Sequence, residues 1–147
     1  MEQLNFPGYS FRTKSNENRL AIFDVVRKKF VVLTPEEWVR QHVVHYLHEA
    51  LNYPLSWINV EKQLKVAGLT KRYDVVVYDP AGKVHLMVEC KAPSVSINQD
   101  TFDQIARYQM ALQAKYLMVT NGMEHFYCQL LPEEKGYRFL PSLPAHV

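Results

Sequence analysis

The sequence predicts an α/β fold: a central mixed β-sheet flanked by helices. Three observations lead there. Two stretches, ending near residues 51 and 114, repeat apolar residues at three- and four-residue steps, the period of a helix with one buried face. Six shorter stretches alternate or run apolar and are rich in β-branched and aromatic residues, as strands are. The chain has 147 residues, close to the commonest size of one domain, so a single unit over 1–147 is expected.

Residues 1 to about 18 are polar, carry a Pro7-Gly8 turn signal, and predict irregular structure. A strand-like piece, Phe30 to Leu33, precedes a helix start. There Thr34 can cap, Pro35 suits the first helical position, and Glu37 stands three residues after the cap, as a capping box requires. Val39, Val43, Tyr46, Leu47, Ala50 and Leu51 supply one stripe, and Asn52-Tyr53-Pro54 ends the helix. Trp57 to Ala67 alternates loosely and predicts a strand. Tyr73 to Tyr78 and Val84 to Val88 are almost continuously apolar, which predicts central strands covered on both faces. Asp79 to Lys83, with proline early and glycine late, joins them as a hairpin. A second helix is expected from about Asp100 to Ala114, then strands at Tyr116 to Thr120 and His125 to Leu131 around an Asn121-Gly122 turn. The tail from 132 to 147, with its prolines, predicts loose packing. The resulting core order is helix, three strands, helix, two strands.

Composition narrows the function classes. The 48% hydrophobic and 22% charged fractions fit a globular domain and exclude a disordered or collagen-like chain. No apolar run approaches the roughly 18 residues of a membrane-spanning helix. Met1 to Pro7 lacks the basic start and apolar stretch of a secretion signal, so the cytoplasm is expected, with Cys90 and Cys128 as reduced core residues. A net charge of +2 permits nucleic-acid binding without demanding it. Arg27-Lys28-Lys29 and the set Lys62, Lys65, Lys71, Arg72 read either as solvated faces or as a phosphate path.

The chemistry concentrates at Asp74, Glu89 and Lys91, three ionisable side chains in the most apolar part of the sequence. Burying one unpaired charge costs several kcal/mol. Two carboxylates about 5 Å apart repel by roughly 3 kcal/mol at an effective dielectric near 20. A divalent cation removes both penalties, and oxygen ligands are what Mg²⁺ prefers. Glu89 and Lys91 are two apart and share a sheet face, while Cys90 points the other way and leaves its backbone carbonyl as a further ligand. The expected site therefore holds Mg²⁺ on Asp74, Glu89 and the Cys90 carbonyl, for phosphodiester cleavage. Lys91 orients or deprotonates the attacking water, or stabilises the pentavalent charge. The competing explanation is a structural ion pair at strand ends. A three-residue turn at 80–82 would pair Asp74 with Val88 and turn it away from Glu89, so a one-residue irregularity is predicted between positions 74 and 89.

Several segments resemble the PD-(D/E)XK nuclease superfamily, and within it the N-terminal nuclease domain of type I restriction enzyme R subunits. They are Thr34 to Gln41, Lys71-Arg72-Tyr73-Asp74, Val88 to Pro93, Gln104-Ile105-Ala106-Arg107-Tyr108 and Thr120-Asn121-Gly122. The resemblance runs over about 33–131, with Tyr73 in place of the proline of the name. It implies a restriction-endonuclease-like fold and Mg²⁺-dependent DNA cleavage, with Mn²⁺ as a substitute, by Asp74, Glu89 and Lys91. It also implies a first-helix glutamate near the metal, best matched by Glu37. Such domains sit ahead of a helicase motor, and this chain has no Gly-x-x-x-x-Gly-Lys phosphate loop, so the nuclease works alone or a separate motor or specificity subunit directs it.

Other residues carry two readings each. Gln104 and Tyr108, neighbours on one helical face, contact the scissile phosphate or a flanking base, or are an exposed polar pair. Glu37 is a metal neighbour or only a cap; Arg40 binds phosphate or pairs with Glu36. His42, His45 and His48 step by three and drift around the helix, which favours surface or half-buried histidines over a metal face. A homodimer suits two cuts on a duplex. The rival readings of the whole are a catalytically silent DNA-binding or assembly module, and a nuclease acting on RNA.

Overall fold

The computed structural model describes residues 1–134 and 136–146. Its architecture is α/β, a mixed sheet with helices against it, and the predicted core order is present. Helix α1 (Pro35–His45) begins as expected: Thr34 Oγ1 accepts from Glu37 N at 3.0 Å and Pro35 opens the first turn. The helical path continues as a π-helical stretch, Tyr46–Ala50, so its end lies one residue short of the predicted stop. Helix α2 spans Gln99–Gln109, capped by Asn98 Oδ1 on Thr101 N at 2.8 Å, and tightens into a 3-10 turn at Met110–Leu112.

Among the described residues six strands form the main sheet: β4 (Ile58–Val66), β5 (Leu69–Tyr78), β6 (Val84–Cys90), β7 (Tyr116–Thr120), β8 (His125–Leu131) and β9 (Gly136–Leu140). They lie in sequence order. Every neighbouring pair is antiparallel except β6–β7, which is parallel. A parallel pair needs a long crossover, and α2 supplies it. β5 and β6 are interior strands with cores on both sides. Val75, Val77, Leu86 and Val88 pack toward α1, Val76 and Met87 toward α2. Each such side chain contributes roughly 1.5–3 kcal/mol by burial, so the ends of these strands are held by the best-packed part of the molecule.

The predicted irregularity is present. Tyr78 pairs with Val84, but Val77 pairs with Leu86, leaving His85 as an extra residue on β6. Beyond it Val75 faces Val88, a register that sets Asp74 opposite Glu89.

Three expectations need correction. Residues 1–18 are not wholly irregular: β1 (Thr13–Asn16) lies there and pairs with β2 (Arg19–Asp24), which pairs with β3 (Lys29–Val32) in a separate three-stranded sheet. The stretch before β1 is irregular yet packed, with Leu4 buried and Asn5 N bonded to Gly122 O at 2.8 Å. The tail is not loose either. Tyr137 and Phe139 alternate with Arg138 along β9, Leu143 is buried, and His146 N donates to Leu51 O. Finally, His42 is 6% exposed under the Phe11 and Trp38 rings, since its Nδ1 bonds the Trp38 carbonyl at 2.8 Å and burial of the ring is then inexpensive. Cys90 and Cys128 are free and buried. No helix among the described residues is long and apolar enough to cross a membrane.

Candidate active site

The antiparallel ladder between β5 and β6 stops at Val75 and Val88, and the site occupies the opening beyond it. Asp74 replaces a ladder carbonyl there: its Oδ2 accepts from Cys90 N at 2.8 Å. Its Oδ1 accepts from Arg40 Nη2 at 2.9 Å. On the other side of β5 the ladder is also interrupted. Val60 pairs with Val75 and Lys62 with Tyr73, while Glu61 between them takes φ 52° and leaves the pairing pattern. Glu61 stays opposite Asp74 with no shift of register, so this is a local break in pairing and not an inserted residue.

Asp74 and Glu89 line one open cleft of about 440 Å³, together with Glu36, Glu37, Arg40 and Glu61. Glu89 is 22% exposed and Lys91 34%, with Lys91 Nζ 3.5 Å from Glu89 Oε1. Burial, and next to it the negative charge of Asp74, push the Glu89 carboxyl up to about 7, against the opposing pull of Lys91. Around Glu89 the site carries more negative than positive charge. Among the described residues no three His, Cys, Asp or Glu side chains gather as a metal cluster. The donors available are two carboxylates and a main-chain carbonyl. In an extended strand a residue's N–H and C=O face the same neighbour, so the Cys90 carbonyl lies on the side where Cys90 N meets Asp74. These are hard oxygen donors, which fit Mg²⁺ or Mn²⁺.

Arg40 is the hub of the acidic wall. Its guanidinium reaches Glu37 at 2.8 Å, Asp74 at 2.9 Å, Glu36 at 3.2 Å and Glu61 at 3.5 Å. Burial works against its charge, but the hydrogen bond to Asp74 and the charges of Glu37 and Asp74 outweigh it and raise its pKa. The expected Glu36 pairing is thus one of four. Glu37 is more than a cap. Its carboxylate does not close a capping box but accepts from Arg40, from Arg27 Nη2 at 2.8 Å and from Gln41 at 3.1 Å. Gln104 and Tyr108 line a second hollow of about 300 Å³, which shares Arg72 and Glu89 with the first. Lys71 Nζ stands 4.5 Å over the Tyr108 ring. The three helix histidines go to separate partners: the Trp38 carbonyl, Glu49 and the Tyr53 carbonyl.

Apart from Val32 and Thr34, the residues that line this cleft fall within residues 35–144, which match the family model of the type I restriction enzyme R protein N terminus. The chain belongs to that family. No curated protein matches it. The R protein N-terminal match contains Glu37, Arg40, Asp74, Glu89, Lys91, Gln104 and Tyr108 and begins after β3, so the three-stranded sheet lies outside it. One residue of that sheet's β2–β3 turn, Arg27, nevertheless reaches the cleft wall through Glu37 and Glu61.

One neighbour of the site, Gln109, is absent from the sequence reading, and another, Arg27, has a different role in the structure. Gln109 is 1% exposed, sends Nε2 to Glu89 Oε2 at 3.4 Å, and has a buried Oε1 without a partner. It continues Phe102 and Ala106 at steps of four and three, and a polar residue on a buried stripe was a usable signal. Arg27 stood in the Arg27-Lys28-Lys29 run, read as a solvated face or a phosphate path; its pairing with Asp24, Glu37 and Glu61 is set by tertiary packing.

Proposed function

We propose that this R protein N-terminal domain hydrolyses phosphodiester bonds in DNA with a divalent cation, Mg²⁺ or Mn²⁺, held by Asp74, Glu89 and the Cys90 carbonyl. The observation that carries the reading is the Asp74–Glu89 pair in one open cleft. Its Glu89 carboxyl is lifted to about 7, so positive charge nearby favours its ionised form at neutral pH. When bound, such a cation polarises the phosphoryl oxygen and acidifies water. Asp74, Glu89 and the Cys90 carbonyl would hold that cation, and the reacting phosphate would be placed through it and not by the carboxylates themselves. Lys91 Nζ, beside Glu89, donates hydrogen bonds to the attacking water or to the phosphoryl oxygens as negative charge builds on them. Gln104, Tyr108 and Arg72 meet the strand leaving the cut through the second hollow. DNA is the substrate indicated by the family, with a separate motor or specificity subunit as partner.

A second reading has its own observation. Each oxygen of Asp74 already accepts one hydrogen bond, from Arg40 and from Cys90 N, so the aspartate is held without a cation, as it would be in a silent nuclease-like DNA-binding module. Plasmid nicking with Mg²⁺ or Mn²⁺ separates the two. The parent is expected to nick and Lys91→Ala to lose at least about a hundredfold in rate. A parent that neither nicks nor takes up Mn²⁺ by calorimetry establishes the silent module instead.

A further inference from the structure

The three-stranded sheet has one buried and one open face. Ile22 and Asp24 point inward and are fully buried. By register Lys14, Ala21 and Val32 lie across from one another on the open face, with Phe23 opposite Phe30 in the same row pattern. Arg12 stands 4.6 Å over the Phe23 ring and Lys14 4.3 Å over the Phe30 ring. Arg19, two residues before Ala21, shares this side. A hollow of about 580 Å³ here is lined by Lys14, Arg19, Phe30 and Val32, with Glu17 the one carboxylate. Two cations therefore face one acid in the hollow, and Arg12 adds a third positive charge beside it over the Phe23 ring.

We propose that this open face is a docking surface for the phosphate backbone of a DNA duplex flanking the cleft. Two features select that occupant. First, the cations cover the aromatic rings, so the rings do not offer free platforms for unstacked bases. They hold Arg12 and Lys14 in place instead, which lowers the entropy lost when a phosphate binds. Second, the face runs into the acidic cleft. Val32, 53% exposed, lines both hollows, and Arg27 ties the sheet to Glu37 at 2.8 Å. The cleft repels phosphate in the absence of a cation, so affinity for the duplex has to come from a surface beside it, and this face has the charge for it. The inference rests on reading the cleft as a DNA site, but its test does not require cutting.

The experiment measures binding of a short fluorescent DNA duplex to the whole chain in EDTA, at several salt concentrations. Each phosphate-neutralising cation adds about 0.9 to the slope of log K against log salt. Arg12→Gln/Lys14→Gln is therefore expected to lower that slope by about 1.8. Over a fourfold rise in salt the parent should then lose about twelvefold more affinity than the variant. Arg12→Lys/Lys14→Arg should keep the parental slope, and matching thermal melts establish that the glutamine variant is folded. An unchanged slope in the glutamine variant overturns the inference, as does a parent that binds no duplex. Tighter binding of duplex RNA overturns the assignment to DNA. Self-association removed by the glutamine variant, with duplex affinity intact, assigns the face to a second copy of the chain and also overturns it. A parent that binds with the expected slope but never nicks refutes the cleavage reading alone.

Discussion

Replacing Glu89 by glutamine is expected to stabilise the protein in the absence of divalent cations. The carboxyl titrates at about 7 in the fold instead of 4.5, because it is buried and then because Asp74 is close. The folded state therefore binds more protons than the unfolded state across that interval, so stability falls as pH rises from about 4.5 to about 7. At about 1.36 kcal/mol per pH unit the ceiling is roughly 3 kcal/mol. Glu89→Gln removes this cost while keeping an amide that can still meet Gln109. The pull of Lys91 is already contained in the value of about 7, and solvent in the open cleft lowers the realised cost below the ceiling. The net gain near pH 8 should be about 2 kcal/mol, or roughly 6 °C in Tm for a chain of this size. Near pH 5 the parent and variant should melt together. Urea or thermal unfolding in EDTA from about pH 5 to pH 8 measures the effect. Equal stability at pH 8, with a flat parental profile, would refute the placement of Glu89 in a largely buried, acidic setting beside Asp74.

Two further perturbations test the acidic wall. Arg40→Met leaves Glu37 and Asp74 without their shared cation, so it should cost about 3–5 kcal/mol; a urea midpoint close to the parent's would mean that the four contacts carry little. Asp24 is fully buried. Burial alone would raise its pKa, but Arg27's backbone and side-chain donors and Gln41 more than compensate and lower it. Its contribution is thus present above 3.8 and lost as pH falls toward the folded value. Asp24→Asn should cost about 2 kcal/mol at neutral pH, with the difference narrowing in acid; a constant difference by urea titration at both pH values contradicts the sign.

The sequence carried the central strands well, because Tyr73 to Tyr78 and Val84 to Val88 are too apolar for any position but the interior. The register slip was also readable, since turn length and two-residue alternation together put Asp74 and Glu89 on opposite faces unless one residue was spare. β2 was less readable: Leu20-Ala21-Ile22-Phe23 is apolar on both faces, although one is open, and no alternation marks it. β9 was hidden by the prolines around it. The Arg27 and Arg40 contacts depend on which elements meet, and spacing along the chain carries no information about a guanidinium shared by α1, β4 and β5.

The spare residue at His85 has one more consequence. Hairpin connections are ordinarily where related chains gain and lose residues freely. Between Tyr78 and Leu86 that freedom is absent, because one deletion would restore plain pairing and rotate Asp74 away from its partner acid. The number of residues in this short surface segment is therefore a marker. A relative that keeps both acids but has one residue fewer here has lost the geometry that made them a pair, whatever its motif still spells.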